Sequence, residues 1–299
     1  MKQASILNIK REAGKTIIPA CERSDRILSR NTIQAKKTST FVVFLLFIFS
    51  SFYIGCNGKE KPSEKGFSFD KATILDLTHT LNSKFPYIPT DVTYGFEMKA
   101  IATFEKMGVA ANEWKIHEHI GTQFDAPNHF AKGGMSAEMI DVKNLFVPAI
   151  VINIGEKAAK DRDAVLTIDD ILNWEKSNGV IPENAAVLIY AGWDKKISSP
   201  DFLGIDSAHI KHFPGISKEA AAFLVDKRSI AGVGVDVVSF DPGIDGTYQS
   251  HRIILGKGKW ALECLTNLDK LPVTGAHIFV GAPKVEGATG GLSRVIAIW

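Results

Sequence analysis

Four side chains that can bind a metal ion or move a proton lie within eleven residues of this sequence: His119, Gln123, Asp125 and His129. Imidazole nitrogen and carboxylate oxygen are the usual protein ligands of divalent transition metals. Gly121 permits a tight turn, and Pro127 disfavours a helix through the residue before it. Two histidines alone would indicate a polar surface loop, but the full pattern predicts a loop that folds over a bound group.

The stretch His119-Ile-Gly-Thr-Gln-Phe-Asp-Ala-Pro-Asn-His129 resembles the HxGTHxDxPxH signature of the cyclase-like metal hydrolases. This is the family of bacterial kynurenine formamidase and isatin hydrolase. Gln123 departs from the signature, because it stands where the family usually has its second histidine. The resemblance extends from about Ile74 to Trp299. It implies a single α/β domain with a mixed sheet, in the swivelling β/β/α fold of that family.

A second pair of residues could complete a metal site. The family draws a His and a Glu, twelve residues apart, from a segment near the C-terminus, and His251 and Glu263 have that spacing. The apolar spacing of residues 260–268 predicts a helix, on which Glu263 would otherwise be a solvated carboxylate. A carboxylate beside an apolar stripe is costly unless it is paired or bound to a cation.

The resemblance also implies roles for these residues. Two clusters would share one bridging carboxylate: His119, Gln123 and Asp125 in the first, and His251 and Glu263 with Asp125 in the second. His129 would be the catalytic acid and base, and a metal-activated water would attack an amide carbonyl. The amide oxygen of Gln123 is a weak zinc ligand, so the cofactor would be one or two ions of manganese or zinc, with manganese favoured.

Three functions fit this pattern. The first is a metal-dependent hydrolase of an amide C–N bond in a small molecule, resembling kynurenine formamidase and therefore an arylformamidase. The second is a ring-opening hydrolase of a cyclic amide, of the isatin type. The third is a binding module that keeps the fold without turnover.

Trp114, Phe130 and Trp193 could form an aromatic wall for the substrate, although aromatic core residues are commoner. The family is typically oligomeric, so the resemblance adds a homo-oligomer as a candidate state.

The first part of the chain predicts the location of the protein in the cell. Residues 1–55 contain nine Lys and Arg against three Asp and Glu, and they end in a fifteen-residue uncharged run, 41–55, before Cys56. That run is short for a membrane-spanning helix, which needs roughly 20 apolar residues, and it suits a signal segment. The sequence therefore predicts a bacterial lipoprotein, membrane-anchored outside the cytoplasm, with a leader at 1–55, a lipidated Cys56 and a polar tether at 56–71. An uncleaved anchor is the alternative.

The remaining chain, 72–299, would be the hydrolase domain. With Cys56 and the tether included, residues 56–299 contain 26 basic and 30 acidic residues, so there is no basic excess of the kind that marks nucleic-acid binding. Cys264 is the one cysteine left there, and its surroundings predict a buried helical thiol. Strands are predicted at 72–79, 94–104, 111–118, 149–154, 185–190, 230–238, 276–280 and 294–299, helices at 167–179, 218–225 and 260–268, and a polar loop at 246–252.

Overall fold

The structure is a computed structural model that describes residues 71–299. The predicted leader, Cys56 and all but the last residue of the tether lie outside the described residues. Within 71–299, no helix has the length and apolar character needed to cross a membrane.

The described chain contains thirteen strands and five α-helices. The strands are β1 (Ile74–Asp76), β2 (Glu97–Ala102), β3 (Ala111–Lys115), β4 (Gln123–Asp125), β5 (Phe146–Asn153), β6 (Val165–Leu166), β7 (Ala186–Tyr190), β8 (Gly215–Ile216), β9 (Gly232–Val235), β10 (Trp260–Glu263), β11 (Ala276–Gly281), β12 (Gly290–Leu292) and β13 (Arg294–Ile298). The helices are α1 (Phe104–Met107), α2 (Gly155–Lys160), α3 (Ile168–Asn178), α4 (Lys218–Lys227) and α5 (Gln249–Gly256).

Nine of these strands form one mixed sheet in the order β1-β13-β11-β5-β7-β9-β10-β4-β12. Neighbours within β5-β7-β9-β10 are parallel, and the other neighbouring pairs are antiparallel. Two small two-stranded sheets pair β2 with β3 and β6 with β8. The predicted α/β fold with a mixed sheet is therefore confirmed.

The central strands are buried on both faces of the sheet. Val187 and Ile189 of β7 pack into one apolar cluster with side chains of α3, α4 and α5. Leu188, between them, points to the other face and belongs to a second cluster. Parallel strands covered on both faces have near-continuous apolar sequences, and all five residues of β7 are buried accordingly.

The two long capped helices begin where the sequence predicts. Thr167 accepts a hydrogen bond from the backbone N–H of Asp170, and the Asp170 carboxylate accepts one from the Thr167 backbone, so α3 has a full capping box. Ser217 caps α4 by accepting from the backbone N–H of Ala220. Both helices bury side chains in the apolar cluster on one face of the sheet.

The predicted helix at 260–268 is wrong. Residues Trp260–Glu263 form β10, in which all four residues are buried, and only a 3₁₀ turn at Leu268–Lys270 follows. A short apolar run has the same composition in a buried strand and in a helix, so periodicity over four residues does not separate them. Cys264 is buried as predicted, but it follows the strand at a φ of 52° and is not helical.

The predicted polar loop at 246–252 is also wrong in its second half. Helix α5 begins at Gln249 and carries His251 on its first turn. The segment lacks a capping side chain at Tyr248, the residue before the helix, so the usual start signal is missing. Asp241, eight residues before Gln249 in sequence, supports the helix start by accepting the backbone N–H groups of Ser250 and His251.

Candidate metal centre

Strand β4 carries the middle of the signature and lies between β10 and β12. Gln123 is the cross-strand partner of Glu263, and Asp125 is the partner of both Ala261 and Gly290. Gly121 adopts a φ of 81°, which allows the chain to turn sharply before the strand. The signature is thus a turn, a three-residue strand and a 3₁₀ turn at Pro127–His129, which places both histidines at the ends of β4.

His119, Asp125 and His129 form the first of two groups that could hold a metal ion. Their ligand atoms all lie within 4.8 Å of one another. His119 Nδ1 lies 2.8 Å from Asp125 Oδ1, and the His129 ring stacks on the His119 ring with 3.8 Å between centroids. The other ring nitrogen of His119, Nε2, lies 2.9 Å from the hydroxyl of Thr289.

Asp125, His251 and Glu263 form the second group, with the same 4.8 Å limit on their ligand atoms. His251 Nε2 lies 3.5 Å from Asp125 Oδ2 and 3.4 Å from Glu263 Oε1. All three residues are buried. Asp125 belongs to both groups, which is the bridging position that the resemblance implies for it.

Gln123 lies against Glu263. Its side-chain Nε2 donates to Glu263 Oε2 over 2.5 Å, while its Oε1 is buried without a hydrogen-bond partner in the described chain. The opposite amide orientation would place two oxygens together, so the donor end faces the carboxylate. The structure therefore brings Gln123 to the two groups with its oxygen free, and the contact that it makes is with a carboxylate.

Burial and charge set the protonation of the four groups at the centre. Burial alone would raise the pKa of Asp125, but the charge and hydrogen bond of His119 outweigh it and lower that pKa. Burial raises the pKa of Glu263, and the negative charge of Asp125 adds to that effect. Burial would lower the pKa of His251, but its bonds to surrounding carboxylates raise it well above the usual value. Burial lowers the pKa of His129 to about 4, assisted by the charge of His119.

These residues fit a divalent cation. Two carboxylates, Asp125 and Glu263, are buried within reach of one imidazole, and buried like charges are costly without a counter-charge. Asp125 Oδ2 and Gln123 Oε1 are both buried and lack hydrogen-bond partners among residues 71–299. Nitrogen and oxygen donors of this kind suit zinc, manganese and related ions.

A cavity of about 640 Å³ opens over both groups. Its outer wall is largely apolar and aromatic: Tyr87, Ile88, Tyr94, Ile116, Phe130 and Tyr248. Tyr248 was not expected here, and it adopts a left-handed backbone conformation with φ 54° that is unusual for a bulky residue. Its ring contacts Phe130 at a centroid separation of 5.5 Å. The cavity is large enough for an aromatic small molecule.

Of the three aromatic residues considered for the substrate wall, only Phe130 lines this cavity. Trp114 is on β3, mostly exposed, and packs its ring edge against Phe96. Trp193 is buried in the core and donates its indole N–H to the Phe202 carbonyl. A single sequence does not distinguish a core tryptophan from a cavity tryptophan, because both are apolar and large.

Two further histidines, His79 and His117, lie outside the two groups that could hold a metal ion. His117 lines the cavity and accepts the backbone N–H of His119 at Nδ1 over 3.0 Å, so it supports the turn before β4. His79 lies beside Phe85 at 6.0 Å between ring centroids, and its backbone N–H donates to the Thr122 hydroxyl.

Comparison with known proteins identifies the family. The chain matches the family model "Cyclase: Putative cyclase" over residues 75–242, more than half of its length. It is 31% identical to isatin hydrolase of Roseibium aggregatum over 241 residues, which is 75% of this chain and 91% of the relative. It is 25% identical to kynurenine formamidase of Erythrobacter litoralis over 224 residues, or 75% and 92% of the two chains.

A solved structure shows the same fold. Isatin hydrolase A from Labrenzia aggregata, bound to benzyl benzoate, superimposes with a TM-score of 0.72 at 35% identity and covers 76% of this chain and 93% of its own. The chain therefore belongs to the Cyclase family, as the signature indicates, and it has the fold of the cyclase-like hydrolases. Its relatives by sequence include an isatin hydrolase and a kynurenine formamidase.

Proposed function

We propose that this protein is a metal-dependent hydrolase that cleaves the C–N bond of an amide carried on an aromatic ring. The observation that carries the proposal is the position of Asp125, His251 and Glu263, which are buried together at the base of an aromatic-lined cavity. A cluster of this kind next to a cavity of this size is the expected form of a metal-assisted active site.

The metal would be held by His119, Asp125, His251 and Glu263, with the free oxygen of Gln123 as an additional donor and His129 left unligated. Manganese and zinc are the proposed ions, and the two groups give room for one or two of them. A divalent cation at this position polarises a carbonyl oxygen and lowers the pKa of water. The carboxylates and imidazoles of the chain would hold that charge in a buried setting, where it would act strongly.

His129 is the proposed general base and acid. It lines the cavity, and because its pKa is lowered to about 4, its ring is neutral at pH 7 and able to accept a proton. It would take the proton of the attacking water while the oxygen bonds to the amide carbon. It would then return that proton to the nitrogen as the C–N bond breaks, so that a carboxylic acid and an amine are the products.

A ring-opening reaction on a cyclic aryl amide is the first substrate class to test. The isatin hydrolases are 31% and 35% identical to this chain, against 25% for the kynurenine formamidase. Hydrolysis of an aryl formamide, the arylformamidase reaction, is the second class and is favoured by that formamidase relative. Both reactions add water to an amide carbonyl on an aromatic ring, so one site could perform either.

The test is a metal-dependent activity screen. The full chain, purified in mild detergent, would be stripped with a chelator, reloaded separately with manganese and zinc, and offered isatin-type cyclic amides and formanilides. Turnover that is lost on stripping and regained on reloading supports the proposal, and the faster substrate class identifies the reaction. Saturable binding of these compounds without turnover under every metal condition would instead indicate a binding module.

We also propose that the chain is lipidated at Cys56 and anchored to a membrane outside the cytoplasm. The support is the sequence alone: the uncharged run at 41–55 ends at Cys56, and the polar stretch 57–65 follows. In this arrangement residues 72–299 would be the catalytic domain, joined to the membrane by a short polar tether.

A further inference from the structure

We propose that Asp241 is a positioning residue that keeps a proton on Nδ1 of His251 and so keeps the opposite nitrogen, Nε2, available to a cation. This inference rests on the proposed function for the identity of what Nε2 would bind. The arrangement of the ring itself follows from the contacts of Asp241, whatever the cation is.

Asp241 holds both the ring and the helix that carries it. Its Oδ2 accepts the ring Nδ1–H of His251 and also the His251 backbone N–H over 3.1 Å. Its Oδ1 accepts the backbone N–H of Ser250 over 2.6 Å. One carboxylate therefore supports the first turn of α5 and the side chain that this turn presents.

The ring has little freedom to adopt another arrangement. Phe240 stacks on it with 3.7 Å between centroids and 20° between planes, and Asp241 and His251 are both buried. The opposite edge of the ring faces two carboxylates, because Nε2 lies within 3.5 Å of one oxygen of Asp125 and one oxygen of Glu263. A rotation of the ring would move both nitrogens away from carboxylates that face them.

The bond to Asp241 determines which nitrogen can act as a ligand. A carboxylate can only accept, so the nitrogen that faces it must carry hydrogen. Without a cation, Nε2 also faces carboxylates, those of Asp125 and Glu263, and would carry hydrogen too. A cation bound there would replace that hydrogen, which leaves a neutral ring with hydrogen on Nδ1 and its lone pair on Nε2. A carboxylate that accepts from the non-ligating nitrogen of a metal-binding histidine typically changes metal affinity 10- to 100-fold when it is removed.

The informative variant is Asp241→Asn. Its side-chain oxygen can still accept from the Ser250 backbone N–H, but its NH₂ group can only donate, so it gives up the bond from the His251 backbone N–H and can donate to Nδ1, which moves the ring hydrogen to Nε2. We expect manganese or zinc affinity, measured by equilibrium dialysis, to fall by about 10- to 100-fold. The matched control is Asp163→Asn, which makes the same change beside Nδ1 of His212, in a pair with no member in either metal group. It should leave metal affinity unchanged.

A second measurement separates this inference from the proposed function. Proton–nitrogen correlation NMR of the metal-free wild-type chain should show a slowly exchanging hydrogen on His251 Nδ1, assigned by its loss in His251→Ala, and that hydrogen should be lost or exchange faster in Asp241→Asn. Hydrogen at Nδ1 without any metal binding would contradict the proposed function and leave the role of Asp241 in ring orientation standing. An Nδ1 without hydrogen, or unchanged metal affinity in a folded Asp241→Asn variant, would overturn the inference.

Discussion

Gln123 donates a hydrogen bond to Glu263 over 2.5 Å, and the two residues are cross-strand partners in β4 and β10. This bond joins segments that are 140 positions apart in sequence. Because the donor end of the amide is occupied by Glu263, the oxygen end is the part of Gln123 that can face a cation. The residue that departs from the family signature is thus tied directly to the second half of the site.

Gln123→His should shift the metal preference of the protein towards zinc. Imidazole nitrogen is a better zinc ligand than a neutral amide oxygen, so zinc affinity should rise relative to manganese affinity. The measurement is competitive loading of stripped protein, with circular dichroism to show that the fold is kept. Unchanged affinity and preference would mean that Gln123 does not touch the metal and acts only on Glu263.

His129→Ala should separate catalysis from metal binding. The variant loses the proposed proton carrier but keeps Asp125, His251 and Glu263, so its metal content should stay near that of the wild type. The rate should fall by roughly 10²- to 10⁴-fold, the usual contribution of a general acid or base. Loss of metal together with the rate would assign His129 to the ligand set, in agreement with its place beside His119 and Asp125.

Gly290→Ala should disable the site without changing any group that could bind metal. A Cβ at Gly290 would lie 2.6 Å from His119 Cε1 and would also collide with the Phe124 carbonyl oxygen. The His119 ring would have to move, so both metal affinity and turnover should fall, while the fold persists by circular dichroism. Gly246→Ala is the control, because no atom lies within 4 Å of a Cβ at that position. Full activity in Gly290→Ala would show that His119 is dispensable.

His212, which lies outside both candidate metal groups, should make the stability of the folded protein depend on pH. The hydrogen bond to Asp163 raises the pKa of His212, and the nearby Asp206 adds to the effect. A raised pKa in the folded state means that the protonated ring stabilises the fold, fully so below the unfolded value of about 6.5. This stabilisation is lost as pH rises through the higher folded value.

Thermal unfolding of the wild type and Asp163→Asn measures this effect. The wild type should exceed the variant in Tm at pH 5.5 to 6, and the difference should shrink as pH rises through the folded pKa, which lies above the unfolded value. A difference that grows with pH would contradict the assignment, because it would mean that the neutral ring is the stabilising form.

Cys56→Ser should release or mislocalise the protein, because the proposed lipid would have no attachment site. Fractionation of cells and labelling with a fatty-acid analogue measure the outcome. Cys21→Ser, in the predicted leader, is the matched control and should leave both membrane association and label unchanged. A Cys56→Ser protein that stays in the membrane at full precursor length would identify the run at 41–55 as an uncleaved anchor.

Residues that act through local spacing could be predicted from the sequence, and those that act through tertiary contact could not. The signature around β4, the caps Thr167 and Ser217, and the pair of His251 and Glu263 each follow a short-range rule or a family spacing. Asp241 supports His251 from ten positions away, and no local pattern marks it.

The misassigned segments have a related physical cause. Strand β10 is four residues long and entirely buried, so its apolar pattern is equally compatible with a helix. Strand β12 contains two glycines and is recognised only by its pairing with β4. Strand propensity is weak there, and the neighbouring strand determines the structure.

The position of β4 between β10 and β12 has a consequence for the order in which the protein acquires its site. The segment with His119, Asp125 and His129 leaves the ribosome well before either neighbouring strand has been made, and synthesis proceeds at about 5–20 residues per second. Until residues 260–292 follow, Asp125 has neither of its strand partners. A nascent chain therefore carries the signature without the assembled centre, and the proposed cation could bind there only after residues 260–292 have been made.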